Sequence, residues 1–145
     1  MLLEFQMLER INMLLNRKKM VEILNDYYKR HELPFVLAVD FDHTLCYSRF
    51  PECGDITPVG KFIQTIQDLH ITIILNTCRE GESLKRALAW CKENNIRIDY
   101  ANENDPLRIS CYKDCRKIFC NMCIDDTTYD FDMDDFITKP NNKEG

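Results

Sequence analysis

One stretch constrains the fold more than any other part of this chain: an unbroken apolar run, Phe35 to Val39, that leads directly into an aspartate. Such a run is typical of a strand buried on both faces of a parallel sheet. Two carboxylates, Asp40 and Asp42, follow it, and Thr44 comes shortly after. Asp and Thr are also ordinary turn residues, so the motif alone is compatible with a simple turn. Because parallel α/β sheets bind ligands at the carboxyl ends of their strands, we expect the chemistry at this strand end.

The remaining chain alternates strand and helix patterns. We predict further strands over residues 71–76, 97–101 and 118–124, helices over 1–32, 58–69 and 82–95, and a loop over 102–110. Thr57 is the predicted N-cap of the helix 58–69, with Pro58 in its first turn. Strands that alternate with helices form right-handed βαβ units. The sequence therefore predicts a three-layer α/β/α, Rossmann-like domain with a mainly parallel sheet.

The chain divides into three predicted parts: an amphipathic helical extension over 1–33, a catalytic domain over 34–138, and a flexible tail over 139–145. Apolar residues in the extension recur every three or four positions, with a helix break expected near Asn16. This periodicity favours packing on the domain or on a second copy of the chain, which would give a homodimer. A partial lid over the active site is the alternative.

Charge and hydropathy limit the classes of partner. The net charge of −5 does not indicate nucleic-acid binding through bulk charge, although a local basic patch would leave it open. The sequence has no apolar run long enough to cross a bilayer, and its first residues lack the apolar centre of a signal peptide. We therefore expect a cytoplasmic protein that does not enter membranes.

The eight cysteines are interpreted as reduced thiols, since the chain can build its core from Ile, Leu, Val and Phe. Four of them form a cluster that raises the question of zinc, namely Cys111, Cys115, Cys120 and Cys123. If Cys120 and Cys123 both lie in a strand over 118–124, their side chains point to opposite faces. This geometry argues against a shared zinc ion.

Polar residues follow three of the predicted strands and should meet along one edge of the sheet. They are Asp40 and Asp42 after the first strand, Thr77 after the second, and Asp125 with Asp126 after the fourth, with Lys117 shortly before the fourth. Clustered carboxylates repel one another, which raises the pKa of at least one of them unless a divalent cation neutralises the charge. Ligation by oxygen alone favours Mg²⁺ over zinc or copper.

Taken together, these residues resemble the haloacid dehalogenase superfamily of phosphohydrolases. Its four signatures are a strand ending in D-x-D-x-T, a strand ending in Thr or Ser, a Lys or Arg, and a strand ending in paired acids. Here they correspond to Asp40 through Thr44, then Thr77, Lys117 and the pair Asp125-Asp126. The short loop after Asp42 and the turn after Thr77 are similar to a small branch of the family that lacks an inserted cap domain.

The resemblance implies a role for each aspartate of the first motif. Asp40 would be the nucleophile that forms an aspartyl-phosphate and would also ligate Mg²⁺. Asp42 would protonate the leaving group and then deprotonate the attacking water, while its backbone carbonyl binds the metal. An acid needs a raised pKa, and we expect the proximity of Asp40 to raise the pKa of Asp42 unless the metal compensates.

The other signatures imply binding roles. Thr77 and Lys117 would hold phosphoryl oxygens, with Lys113 and Arg116 as competitors for the role of Lys117. Asp125 would complete the metal site, and Asp126 would act directly or through water. Phosphoryl transfer depends mainly on positioning and charge neutralisation, which such a set supplies.

His43 stands where glycine is common in the family, in either a structural or a catalytic role.

The function expected from the sequence is Mg²⁺-dependent hydrolysis of a small phosphomonoester through an aspartyl-phosphate. One alternative is a phosphatase that acts on nucleotides or polynucleotide ends. A second alternative is a catalytically silent interaction module that uses its N-terminal helices to dimerise or to bind a partner.

Overall fold

The computed structural model describes residues 16–112 and 117–125. In chain order the elements are α1 (Arg17–Tyr28), β1 (Phe35–Val39), α2 (Pro58–Ile66), β2 (Ile71–Leu75), α3 (Gly81–Glu93), β3 (Tyr100–Ala101), α4 (Pro106–Tyr112) and β4 (Met122–Ile124). The predicted first helix of the extension, the residues from Asp126 onward and the tail 139–145 lie outside this range. No helix in the described ranges has both the length and the apolar character needed to cross a membrane.

The four strands form one parallel sheet in the order β3-β2-β1-β4. β1 pairs with β2 over five residues and with β4 over three. Because crossovers between parallel strands are right-handed, this strand order assigns α2 and α3 to one face of the sheet and α4 to the other. The predicted three-layer α/β fold with a parallel sheet is therefore confirmed.

β1 is the central strand of the core, as its composition predicts. All five of its residues are buried. Phe35, Leu37 and Val39 join the main apolar cluster, while Val36 and Ala38 are buried on the opposite face. This burial on both faces explains why the strand contains no polar residue.

α2 begins as predicted, because the Thr57 hydroxyl accepts a hydrogen bond from the Gly60 amide at 3.0 Å and proline occupies the first turn. The helix covers the sheet with its apolar face, formed by Val59, Phe62, Ile63 and Ile66. Its start is also tied to the loop after β1, since the Thr57 amide donates to the Leu45 carbonyl at 2.9 Å.

Gly60 gives a test of this close approach. A Cβ at this position would lie 2.6 Å from Ile56 Cγ1 and 2.8 Å from the Leu45 carbonyl oxygen. We expect Gly60→Ala to lower the free energy of unfolding by about 1–3 kcal/mol through overpacking, measured by urea denaturation. Lys61→Ala, at the exposed neighbouring position, is the control and should change it by less than about 0.5 kcal/mol. Equal effects of the two substitutions would contradict the close contact.

α1 starts at the predicted break, where the Asn16 side chain accepts a hydrogen bond from the Lys19 amide at 2.8 Å. Its apolar face, formed by Met20, Ile23 and Leu24, is buried in the core. The Tyr28 hydroxyl donates to the His70 carbonyl at 2.9 Å and accepts from the Phe35 amide at 2.7 Å. These contacts hold the end of α1 at the amino ends of β1 and β2. The described part of the extension thus packs on the domain at the sheet edge opposite Asp40. It therefore does not form a lid over Asp40.

Two strands are shorter than predicted because side chains replace their backbone pairing. β3 begins at Tyr100 rather than at residue 97, since the Asp99 carboxylate accepts the Ile73 amide at 2.8 Å. β4 begins at Met122 rather than at residue 118, since the Asn121 side chain accepts the Val36 amide at 2.8 Å.

α4 lies where the sequence analysis predicted only a loop, so that prediction was wrong. The Asp105 carboxylate accepts a hydrogen bond from the Leu107 amide at 3.1 Å, and Pro106 occupies the first helical position. Asp followed by Pro is a common helix start. The Asp side chain accepts a hydrogen bond from a free amide of the first turn, and Pro has no backbone amide that needs a partner.

Candidate active site

The ends of three neighbouring strands set the framework of the site. Val39 is paired with Leu75 of β2 and with Ile124 of β4. Backbone bonding continues one residue further on each side. The Asp40 amide donates to the Ile124 carbonyl at 2.9 Å, and the Asn76 amide donates to the Val39 carbonyl at 2.8 Å. Adjacent strands are separated by about 4.8 Å. Asp40 and Asp125 therefore lie side by side at the carboxyl edge, within the reach of their side chains.

Asp42 is held by an arginine to which the sequence analysis gave no role. Arg79 Nε lies 3.2 and 3.0 Å from the two carboxylate oxygens of Asp42, and Arg79 Nη2 lies 2.7 Å from the first of them. The Arg79 side chain is 1% exposed and that of Asp42 is 27% exposed. This geometry is a forked ion pair, which fixes the orientation of the carboxylate.

The surroundings of Arg79 leave it little freedom to move. Its Nη1 donates to the Pro51 carbonyl at 2.9 Å and to the Ser83 carbonyl at 3.1 Å. The guanidinium also lies 4.9 Å from the ring centres of Phe41 and Phe50. One side chain thus joins the strand end, the short flap over residues 46–57 and the start of α3.

The pKa of Asp42 moves in the opposite direction to the prediction. Partial burial raises it, but hydrogen bonds from Arg79 and Ser48 and the charge of Arg79 outweigh burial, so the pKa lies below its ordinary value. The expectation that Asp40 raises the Asp42 pKa was wrong, because it did not include a buried cation on the other side of the carboxylate. Asp42 is held in its ionised form.

Acidification should therefore weaken this ion pair. The folded-state pKa of Asp42 is below its unfolded value, so its contribution to stability is present above about pH 4 and is lost as the pH falls through the lowered value. We expect the urea midpoint to fall more steeply between pH 6 and pH 3 in the wild type than in Asp42→Asn. The exposed flap residue Asp55, changed to Asn, should retain the wild-type profile. Parallel profiles for the wild type and Asp42→Asn would contradict the argument.

The turn after Asp42 explains the residue at position 43. His43 has a φ of 62°, in the left-handed region where glycine is favoured, and its amide donates to the Cys46 carbonyl at 2.7 Å. The side chain is exposed, so the structure supports a turn role. The following Thr44 is 1% exposed, and its hydroxyl has no hydrogen-bond partner within the described part of the chain.

Thr77 lies two residues beyond the end of β2, at the same edge as Asp40. Its amide donates to the Asn102 side chain at 2.8 Å, and its hydroxyl accepts from the Arg79 amide at 3.1 Å. Since a hydroxyl that accepts one bond can still donate another, Thr77 is suited to hold a phosphoryl oxygen.

For Lys117, the structure fixes the backbone but does not test the proposed phosphate contact. The Lys117 carbonyl accepts from the Asn104 side chain at 3.1 Å, which fixes its backbone to the loop after β3. The same side chain accepts the Phe119 amide at 2.6 Å. Asp126 lies outside the described residues, as do Lys113 and Arg116, the alternatives to Lys117. The role of Lys117 therefore remains a prediction.

Cys120 does not lie in β4, because the strand begins at Met122. The argument that Cys120 and Cys123 face opposite sides of one strand therefore does not apply to this pair. Interaction with the Cys120 thiol lowers the pKa of Cys123 to about 7, against the effects of burial and of the charge of Asp125. The same interaction, together with burial, raises the pKa of Cys120.

Metal-binding groups of three or more His, Cys, Asp or Glu side chains do not occur in residues 16–112 and 117–125. Of the four cysteines considered as zinc ligands, Cys115 lies outside these ranges. The structure therefore tests zinc binding only for Cys111, Cys120 and Cys123. Two carboxylates at neighbouring strand ends are nevertheless enough for Mg²⁺, which commonly binds one or two carboxylates and completes its shell with water and substrate phosphate.

Arg79, Asn102 and Asn104 are the residues that the sequence analysis missed. The two asparagines each support a neighbouring loop by accepting backbone amides. Arg79 stands two residues after the strand-end Thr77. Its burial depends on how the flap and α3 meet, so the sequence alone did not indicate that it pairs with a carboxylate.

Comparison with known proteins gives one informative likeness. The solved structure of a conserved protein from Bacteroides thetaiotaomicron is similar to this chain, with a TM-score of 0.56 and 30% sequence identity, covering 65% of this chain and 77% of that one. No protein-family model and no curated protein matches the chain.

Proposed function

We propose that this chain is a Mg²⁺-dependent phosphomonoester hydrolase. The chain belongs to the same family as the conserved protein from Bacteroides thetaiotaomicron. The relative is described only as conserved, so the proposal depends on the site of this chain. In it, Asp40 attacks the phosphorus of a small phosphorylated substrate and forms an aspartyl-phosphate, which water then hydrolyses.

The observation that carries the proposal is the position of Asp40 beside Asp125 at the carboxyl edge of the sheet. The Asp40 amide is bonded to Ile124 on one side, and the carbonyl of the preceding Val39 is bonded to Asn76 on the other, so the Asp40 carboxylate starts from a rigid strand end. A rigid nucleophile needs little reorganisation before it attacks.

The donors at this edge fit a hard divalent cation, since the carboxylates of Asp40 and Asp125 and the backbone carbonyl of Asp42 are all oxygen ligands. Asp126 is the further ligand proposed from the sequence. When bound, Mg²⁺ would neutralise the two neighbouring carboxylates and the charge of the phosphoryl group.

The remaining residues serve proton transfer and substrate binding. The Arg79 fork keeps the Asp42 carboxylate ionised, so Asp42 serves as the base that removes a proton from the attacking water. The leaving oxygen, which the sequence analysis assigned to a protonated Asp42, takes its proton from solvent in this scheme. The Thr77 hydroxyl and the Lys117 ammonium are proposed to hold the phosphoryl oxygens. In this scheme Arg79 is a positioning residue, because it acts through Asp42.

The segment between β1 and α2 forms a short flap, closed by isolated bridges between Cys46 and Ile56 and between Arg49 and Glu52, instead of a cap domain. The proposed site is therefore open, and the small substrate is proposed from the sequence resemblance alone. A cytoplasmic location is also part of the proposal, because the described cysteines are all free.

The test is an activity screen of the purified chain with and without Mg²⁺. The panel contains an aryl phosphate, phosphorylated metabolites, nucleotides and oligonucleotides with terminal phosphates, so that it also separates the nucleotide and polynucleotide alternatives. We expect Mg²⁺-dependent phosphate release from at least one small phosphomonoester. Beryllofluoride with Mg²⁺ should raise the melting temperature, and the absence of both effects would overturn the proposal.

A catalytically silent domain is the second candidate, and the commitment of the Asp42 side chain to a buried arginine favours it. In that case the ion pair serves only to fasten the flap. Mg²⁺ binding without hydrolysis across the whole panel would support this candidate. Its expected partners, a second copy or another protein bound through the N-terminal helices, remain predictions because residues 1–15 lie outside the described range.

A further inference from the structure

We propose that Phe50, at the tip of the flap, determines the substrate specificity of the site by stacking on an aromatic ring next to the ester oxygen. The preferred substrates are then aryl phosphates rather than phosphomonoesters of saturated alcohols. Because the phosphoryl group is placed at Asp40, this role of Phe50 rests on the proposed function.

Phe50 lies in the turn of a short hairpin. The Glu52 amide donates to the Arg49 carbonyl at 2.8 Å, and the Arg49 amide donates to the Glu52 carbonyl at 3.2 Å. Phe50 and Pro51 are the two residues between them. The two hydrogen bonds close the hairpin, so the backbone of Phe50 is held in place by its neighbours.

Arg79 connects this turn to Asp42. Its Nη1 donates to the Pro51 carbonyl at 2.9 Å, and its Cζ lies 4.9 Å from the centre of the Phe50 ring. Nη2 of the same guanidinium lies 2.7 Å from the Asp42 carboxylate. Phe50 and Asp42 therefore contact the same group, so the ring lies close to the carboxylate that is proposed to activate water.

Most of the Phe50 side chain is exposed to solvent. Phe41 lies at the same distance from Arg79 and is fully buried, whereas Phe50 is 67% exposed. Single exposed apolar side chains are common on protein surfaces, so exposure alone does not indicate a binding role. The position of Phe50 adds the missing information, because a ring on the partner of Asp42 is available to a ligand at that carboxylate.

The direction of phosphoryl transfer brings the leaving group to this side of the site. The attacking and leaving oxygens lie roughly in line, so the leaving oxygen is opposite Asp40. The water that hydrolyses the aspartyl-phosphate enters from the same side, and Asp42 is the base for this water. The leaving group therefore departs beside Asp42, where a ring attached to its oxygen is within reach of Phe50. Aromatic rings attract each other in offset or edge-to-face arrangements beyond the effect of the buried area.

The first experiment measures binding, so that it does not depend on turnover. Isothermal titration calorimetry with Mg²⁺ compares two phosphonates of similar size, benzylphosphonate and cyclohexylmethylphosphonate. In benzylphosphonate a methylene group replaces the ester oxygen of an aryl phosphate, so the ligand is not hydrolysed. We expect the wild type to bind benzylphosphonate about three- to tenfold more tightly than the saturated ligand.

Variants at position 50 assign this preference to the ring. Phe50→Leu keeps an apolar side chain but removes the ring, so the two phosphonates should bind within about twofold of each other. Phe50→Tyr keeps the ring and should retain the preference. Leu107→Ala, which removes an exposed apolar side chain from α4, should bind both ligands like the wild type. Urea midpoints of all variants verify their folding.

Equal binding of the two phosphonates by the wild type would overturn the role of Phe50, as would failure of both to bind. If Phe50 served only to shield Arg79, Phe50→Leu would weaken both ligands equally and retain the preference, which would also overturn it. Phosphate release is measured separately. A preference that depends on Phe50, without hydrolysis of any ester, would refute the phosphatase alone, whereas hydrolysis with equal phosphonate binding would refute the role of Phe50 alone.

Discussion

Asp40→Asn will abolish turnover of an aryl phosphate, with a loss on the order of 10⁴-fold or more, as expected when a nucleophile is removed. The amide keeps the shape of the carboxylate but cannot form the acyl phosphate. The fold should be retained, because the backbone of Asp40 makes the strand contact and the substitution leaves the backbone unchanged. The measurement is the steady-state rate of phosphate release at saturating Mg²⁺.

The matched control for Asp40 is Asp55→Asn, which removes one exposed carboxylate from the flap without touching a strand end. It should retain the wild-type rate within about twofold, since surface changes are usually close to neutral. Circular dichroism and urea midpoints of both variants would verify their folding. A folded Asp40→Asn variant that hydrolyses substrate at the wild-type rate would remove Asp40 from the mechanism.

The second large effect is expected at Arg79. Arg79→Met should lower the free energy of unfolding by about 2–4 kcal/mol. The substitution removes the hydrogen-bond donor of the Asp42 carboxylate and of the Pro51 and Ser83 carbonyls. The loss should stay below the upper range measured for fully buried ion pairs, since Asp42 retains contact with solvent. Urea denaturation at neutral pH measures the loss.

Two further variants separate charge from geometry at this position. Arg79→Lys keeps the charge but cannot form the fork, so its stability should be intermediate. Arg86→Met, on the exposed face of α3, removes an ion pair with Glu52 whose atoms are 3.5 Å apart, and should change stability by less than about 0.5 kcal/mol. If Arg79→Met and Arg86→Met were equally stable, the ion pair with Asp42 would not be holding the flap.

Much of the fold followed from the sequence because burial dominates it. β1 is apolar on both faces, so its pattern admits few structures other than a central strand. The proximity of Asp40 and Asp125 was predictable for the same reason, since both end apolar runs and parallel strands align their carboxyl ends. Thr57 and Pro58 predicted the start of a helix correctly, because N-capping and a first-turn proline depend only on neighbouring residues and not on tertiary contacts.

The errors arose where side chains interact with distant backbone. The early ends of β3 and β4 depend on Asp99 and Asn121, which accept amides that a longer strand would have bonded. The choice of Arg79 as the partner of Asp42 depends on how the flap and α3 meet, which no local pattern encodes. The missed helix α4 is different, because Asp105 and Pro106 carried a start signal that was readable from the chain.

The unequal pairing of the strands has a consequence for local opening. β1 is bonded on both sides, whereas β4 contributes three register pairs and has one neighbour in the described sheet. Amide hydrogen exchange should therefore be slow throughout β1 and faster in β4, so that Asp125 separates from Asp40 in excursions far smaller than global unfolding. Any ligand that bridges the two carboxylates would slow exchange in β4 selectively, which makes this strand a sensitive reporter of occupancy.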